Sequence, residues 1–193
     1  MIKTRRIGTI LLALAALWAA SLACTLPGRS AKPPDSYAPI PVTTQAVGEL
    51  RKNLEVAATQ IATSGSTSLL INEAQLTSLL ALELKSQNQL NIQDPQVYLR
   101  DGQVQLFGNL QEGKVTTPLK IILTISADAQ GQPHFQVVEA EAGPLPIPKN
   151  LLDQFTTQFD QVLARRLNPD NNPLFIDRIA IADGKMTITA HTR

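Results

Sequence analysis

Residues 115–143 read VTTPLKIILTISADAQGQPHFQVVEAEAG, and this stretch decides the fold. Leu119, Ile121, Leu123 and Ile125 alternate with Lys120, Ile122, Thr124 and Ser126. A period of two marks a strand with one buried face. Asp128-Ala129-Gln130-Gly131 reads as a type I turn with glycine in the left-handed position. Phe135 and Val137 begin the return strand. Pairing Ile125 with Phe135 and Leu123 with Val137 then sets Glu139 opposite Ile121, a carboxylate on the buried face, which is costly without a partner. A bulge at Val137-Val138 removes the conflict by flipping the parity. Ala140 and Ala142 then face inward, and Glu139 and Glu141 face water. Because bulges bend strands, a curved sheet is expected.

Two shorter hairpins repeat one device. Asp101-Gly102 and Asp183-Gly184 each separate alternating runs, as a type I′ turn requires. A two-residue turn pairs Leu99 with Val104 and Val97 with Leu106 in the first hairpin. In the second it pairs Ile181 with Met186 and Ile179 with Ile188. Each set of four shares a face, so register and pattern agree.

Amphipathic helices must cover these faces. Residues 43–63 carry Val47, Leu50, Leu54, Ala58 and Ile61 at helical spacing, with Gly65 as a stop. Residues 69–71 form a short apolar run of strand type. Asn72 caps a second helix, with Gln75 three residues on as in a capping box. Leu76, Leu79, Leu80 and Leu84 are its stripe, with Leu82 beside it, and the polar residues 86–91 end it. Gly143-Pro144-Leu145-Pro146-Ile147-Pro148 follows the long hairpin, and its alternating prolines oppose helix and ladder alike. Pro148 suits the first turn of a third helix, 151–167, whose wide apolar face includes Phe155 and Phe159.

The N-terminus gives an address. Lys3, Arg5 and Arg6 precede seventeen uncharged residues, 7–23, and Ser21-Leu22-Ala23-Cys24 follows the pattern of a lipoprotein signal. Cys24 is the only cysteine and stands where such a signal places its acylated residue, modified by a chain such as palmitate. The alternative is an uncleaved anchor at the short end of the roughly 17–25 residues that span a bilayer. Either way the chain is tethered on the outer, extracytoplasmic face of a cell membrane. One cysteine allows no intrachain disulfide, so the fold rests on its core. The organisation expected is a signal peptide at 1–23, a proline-rich tether at 24–42 and one domain at 43–193. The fold class is α+β, a curved antiparallel sheet built from hairpins and wrapping amphipathic helices.

Loss of the signal takes the formal charge from +1 to −2 and leaves no basic tract beyond Arg165-Arg166. Nucleic acid is therefore not an expected partner, since phosphate binding needs clustered Lys and Arg. His134 and His191 each stand alone in a strand, without ligand spacing, and read as surface residues. No GxSxG, Walker, GxGxxG or HExxH motif occurs. Glu139 and Glu141 share a strand face, as solvated strand charges do. No catalytic residue, metal site or cofactor is expected.

The order of a capped helix at 71–82, the Asp101-Gly102 hairpin, the long hairpin, G-P-L-P-I-P at 143–148, an amphipathic helix and the closing Asp183-Gly184 hairpin resembles the LmeA-like phospholipid-binding family of bacterial envelope proteins. It is also similar to the YpmS-like family. The resemblance covers residues 69–192 and implies a module of the tubular lipid-binding kind, in which a curved sheet wraps a long helix and leaves an apolar groove. It implies a non-enzymatic protein that binds phospholipid or another acyl lipid. The groove would be lined by Leu76, Leu79, Leu80, Leu119, Ile121, Leu123, Ile125, Phe155 and Phe159. The same residues would serve equally as a closed core. A reading from another class is a scaffold lipoprotein that binds an envelope protein through an exposed sheet edge. A continuous apolar cavity favours the first, and a filled core favours the second.

Overall fold

The computed structural model describes residues 31–87, 92–147 and 174–192. All belong to one compact unit, Ala31–Arg193. The elements are α1 (Thr44–Ser64), β1 (Ser66–Asn72), α2 (Glu73–Gln87), β2 (Ile92–Arg100), β3 (Gln103–Glu112), β4 (Val115–Ala127), β5 (Pro133–Ala142), β6 (Leu145–Pro146), β7 (Leu174–Ala182) and β8 (Lys185–Thr192). The fold is α+β with open, curved antiparallel sheets. The signal, Cys24 and the expected helix 151–167, with Phe155 and Phe159, lie outside the described residues.

Each hairpin forms in the expected register. Asp101 and Asp183 take φ of 54° and 50°, and the glycines after them 74°, as a type I′ turn demands. Leu99 pairs with Val104 and Val97 with Leu106; Ile181 pairs with Met186 and Ile179 with Ile188. In the long hairpin the Gly131 amide donates to the Asp128 carbonyl at 3.0 Å. The Asp128 carboxylate accepts from the Gln130 and Gln132 amides, both at 2.8 Å. The ladder jumps from Ile122–Glu139 to Leu123–Val137, so the bulge sits at Val137-Val138. Ala140 is consequently buried against the inner face.

Glu141 departs from expectation. It does not face water but is 3% exposed. Lys120 lies directly across the ladder from it. The Lys120 ammonium stands 3.1 Å from Glu139 and 3.8 Å from Glu141, so the buried carboxylate keeps an opposite charge beside it.

One sheet was expected, and two form. The five-stranded sheet runs β2-β3-β4-β5-β6; the three-stranded one runs β1-β8-β7. The residues read as a short apolar run, 69–71, are the centre of β1, which pairs along its length with β8. Pairing between such distant segments leaves no local signature.

Helix α1 starts where Thr43 caps it through the Ala46 amide and stops at Gly65, φ 71°. Its buried face is Ala46, Val47, Leu50 and Ala57; Ala58 is exposed and Leu54 half-exposed. Helix α2 opens with the capping box, the Asn72 amide donating to Gln75 Oε1 at 3.0 Å and the Gln75 amide to Asn72 Oδ1 at 2.9 Å.

The sheet edges are closed by side chains and prolines. On β2 the Val97 amide donates to Thr77 Oγ1 at 2.9 Å and the Leu99 amide to Glu73 Oε1 at 2.8 Å. Thr77 of α2 is fully buried for this reason, and the equally buried Ser78 accepts the Thr43 amide at 3.0 Å. At the opposite edge β6 does join the ladder, against the expectation that its prolines forbid it: Ala142 pairs with Leu145, and the Ile147 amide donates to the Ala140 carbonyl at 2.8 Å. The prolines alternate, so the residues between them keep their N–H for β5. The missing donors fall on the outer side, where an edge strand loses nothing.

The segment read as a tether is a strap from Ala31 onward. Tyr37 packs on Tyr98 with ring centroids 4.7 Å apart. The Ile40 amide donates to Gln96 Oε1 at 2.7 Å, and the Tyr98 hydroxyl to the Ala38 carbonyl at 3.2 Å. The outer face of the five-stranded sheet, with Tyr98 and Phe107 both buried, is the surface covered. Prolines restrict the unfolded strap and so lower the entropy lost on docking.

Candidate functional site

The core and the candidate site are continuous. Leu50, Ile71, Val97, Leu99, Val104 and Met186 form a buried cluster. Beside it a cavity of about 650 Å³ opens between the two sheets and α2. β2–β5 contribute Val97, Val104, Leu106, Leu123, Ile125 and Phe135; β1, β7 and β8 contribute Leu69, Ile71, Ile176, Ile179, Met186 and Ile188. Leu76, Leu79 and Leu80 come from α2.

Helix geometry explains why α2 offers leucines here. Successive residues turn about 100°, so Leu76, Leu79 and Leu80 share one face, while Thr77, Ser78 and Ala81 share the other. The small residues let the helix approach β2 closely. Thr77 and Ser78 then bond Val97 and the Thr43 amide, which leaves the leucines toward the cavity.

The two sheets are held at the site by named joints. Gly184, in the β7–β8 turn, donates its amide to the Leu99 carbonyl at 3.1 Å and accepts from the Glu73 amide at 3.2 Å. The Glu73 carboxylate also takes Arg100, whose Nη2 lies 3.2 Å from Oε2. Elsewhere the Ile176 amide donates to the Gly131 carbonyl at 2.9 Å. Gly131 has φ 74°, and a Cβ there would overlap the Phe175 ring. Glycine is thus required twice, by the turn and by the docking of β7.

The expected lining is placed as follows. Leu76, Leu79, Leu80, Leu123 and Ile125 line the cavity. Leu119 is buried instead, and Ile121 is half-buried away from the lining; both sit opposite the small residues Ala142 and Ala140, past the bulge. Sequence reasoning missed the β1, β7 and β8 contribution entirely. Its signal was present, since Ile179 and Ile188 had been paired on one face, but nothing local said which sheet they would oppose.

Among the described residues the wall is aliphatic and aromatic, with the Met186 thioether, apart from Glu83, which is exposed. A wall of this kind can bind an apolar ligand by burial. Among the described residues no group of three or more His, Cys, Asp and Glu could hold a metal ion. His191 Nδ1 lies 2.8 Å from Asp177 Oδ1 on the exposed face of the β7–β8 hairpin. His134 is exposed. Neither histidine lines the cavity. No helix among the described residues is long and apolar enough to cross a membrane.

Comparison with family models, with curated proteins and with solved structures gives no match. The reading of this site therefore rests on its geometry.

A second cavity of about 590 Å³ lies under the strap, between Ala31–Pro39 and Asp94, Gln96, Tyr98, Phe107, Asn109 and Pro118. Its aromatic floor is already engaged: Tyr98 packs between Tyr37 and Phe107, and the Arg100 guanidinium sits 5.6 Å above the Tyr37 ring. Burial raises the Tyr98 pKa above its ordinary value, with the Glu73 carboxylate adding to the effect.

Proposed function

We propose that this chain is an extracytoplasmic lipid-binding protein, anchored through an acylated Cys24 at the outer face of a cell membrane, that holds an acyl chain or phospholipid tail without catalysing a reaction. The cavity carries the reading. A volume of about 650 Å³ walled by aliphatic side chains falls within the roughly 300–1,000 Å³ of ligand sites. Its wall makes no demand that only a polar ligand could meet. The resemblance to LmeA-like proteins points the same way and belongs to the proposal. The scaffold alternative asks for an open sheet edge. On the five-stranded sheet, α2 side chains occupy β2 and prolines blunt β6, which weighs against it.

The test is native mass spectrometry of the full chain released from membranes in mild detergent. A co-purified lipid of defined mass, beyond the acyl group on Cys24, is the expected result. A spectrum with the acylated chain alone contradicts the lipid assignment. Fatty-acid labelling of wild type and Cys24→Ser checks the anchor separately, because label retained by the variant refutes acylation at Cys24.

A further inference from the structure

Two of the exposed large apolar residues stand out by degree. Val115 is 63% exposed and Leu145 69%. Both lie at one end of the five-stranded sheet. Val115 opens β4 directly after the Gly113-Lys114 turn, and Leu145 follows the Gly143-Pro144 turn between β5 and β6. The Gly143 amide donates to the Pro118 carbonyl at 2.7 Å, which fixes the second turn against the first part of β4.

The strap lies over the same strands. Ala31, Lys32, Pro33 and Asp35 share a cavity with Asn109 and Pro118, and these two residues pair across β3 and β4. Ala31 is itself buried, 4% exposed. The strap therefore shortens the tether. Only seven peptide links separate Cys24 from Ala31. Whatever their conformation, seven residues span at most about 25 Å, at ~3.6 Å each.

We infer that the sheet end carrying Val115 and Leu145 rests on the membrane surface, with these two side chains entering the interface. The inference rests on the reading of Cys24 as the anchor. Exposed apolar side chains at turn tips lose water on entering the headgroup boundary, as interfacial anchors do. Two such residues bind weakly alone. A short tether makes the contact intramolecular, at an effective concentration on the order of millimolar. Charge contributes little, since the exposed Lys32 and Lys114 are matched in number by the exposed Asp35 and Asp94. The contact should therefore be insensitive to salt, unlike adsorption to anionic lipid.

The experiment uses the full acylated chain in phosphatidylcholine vesicles. Val115→Cys, Leu145→Cys and Lys185→Cys chains each carry an environment-sensitive fluorophore on the new thiol, and spin-labelled phosphatidylcholine supplies the quencher. Lys185 is exposed in the β7–β8 hairpin beside the Gly184 joint to Leu99, and Leu99 pairs at the start of β3 whereas Val115 pairs at its far end. Blue-shifted emission and lipid quenching at 115 and 145, with neither at 185 and no change between low and high salt, is the expected result. A chain that floats with vesicles but shows no quenching at 115 or 145 overturns the docking surface alone. Equal quenching at all three sites overturns it also, because no end is then preferred. A chain that fails to float, or whose Cys24→Ser form floats equally well, overturns the anchor reading and this inference with it.

Discussion

Thr77→Val is the sharpest single perturbation of this architecture. Thr77 is fully buried in the first half of α2. Its Oγ1 accepts the Val97 amide at 2.9 Å and lies 3.4 Å from the Val97 carbonyl, to which it donates. Valine keeps the shape and removes the hydroxyl. The buried Val97 amide then has no partner, and a lost partner for a buried backbone group costs about 1–3 kcal/mol. The carbonyl bond is long and adds at most ~0.5 kcal/mol of net hydrogen-bond stability. The methyl gained offsets little, because the site is already filled. A loss of about 2 kcal/mol, within the 1–3 kcal/mol range for an unsatisfied buried group, is expected. Thr77→Ser keeps the hydroxyl and should lose less, about 1 kcal/mol for one buried methyl. Urea denaturation of both variants with matched slopes gives the comparison. If Thr77→Val costs less than Thr77→Ser, the sealing of the β2 edge by this hydroxyl is refuted.

Other consequences follow from the same geometry. Leu123→Asp places a carboxylate on the cavity wall, where the open volume lets it reach water; the chain should stay folded by circular dichroism and lose co-purified lipid, whereas retained lipid would contradict the lining. Gly131→Ala meets both a left-handed φ and the Phe175 ring, so it should destabilise by more than about 1 kcal/mol, read as a lower thermal midpoint; an unchanged midpoint would refute the β7 docking. The raised pKa of Tyr98 fixes a sign. Folding favours the protonated phenol, so its contribution is fully present below pH ~10 and falls away as pH rises through the folded value. Tyr98→Phe should lessen that alkaline loss of stability, followed by denaturation at several pH values.

Local signals carried most of the hairpins. Asp-Gly at two turns and the alternation around them set the registers, and the awkward place of Glu139 gave the bulge. Non-local pairing was not legible: β1 joins β8 across more than a hundred residues of sequence, and no spacing announces it. Thr77 and Ser78 lie off the leucine stripe of α2 and are fully buried. Their neighbours Ala74 and Ala81 were the usable hint, since a small-residue stripe opposite leucines marks close approach to a backbone. Tyr37, an aromatic residue inside a proline-rich run, was the corresponding hint for the strap. Half of the cavity wall depends on how one sheet faces the other, a matter of packing that the pattern of a single strand does not contain.

The most direct test maps a lipid onto residues. Cells expressing the full chain are fed a photoactivatable fatty acid, illuminated, and the crosslinked peptides are identified by mass spectrometry. Crosslinks on Leu76, Leu79 and Leu80, on Val104 and Leu106, and on Leu123 and Ile125 are the predicted result, lost in the Leu123→Asp chain. Crosslinks confined to Cys24, or to Val115 and Leu145 at the sheet end, with none on the cavity wall, would contradict the lipid-binding account.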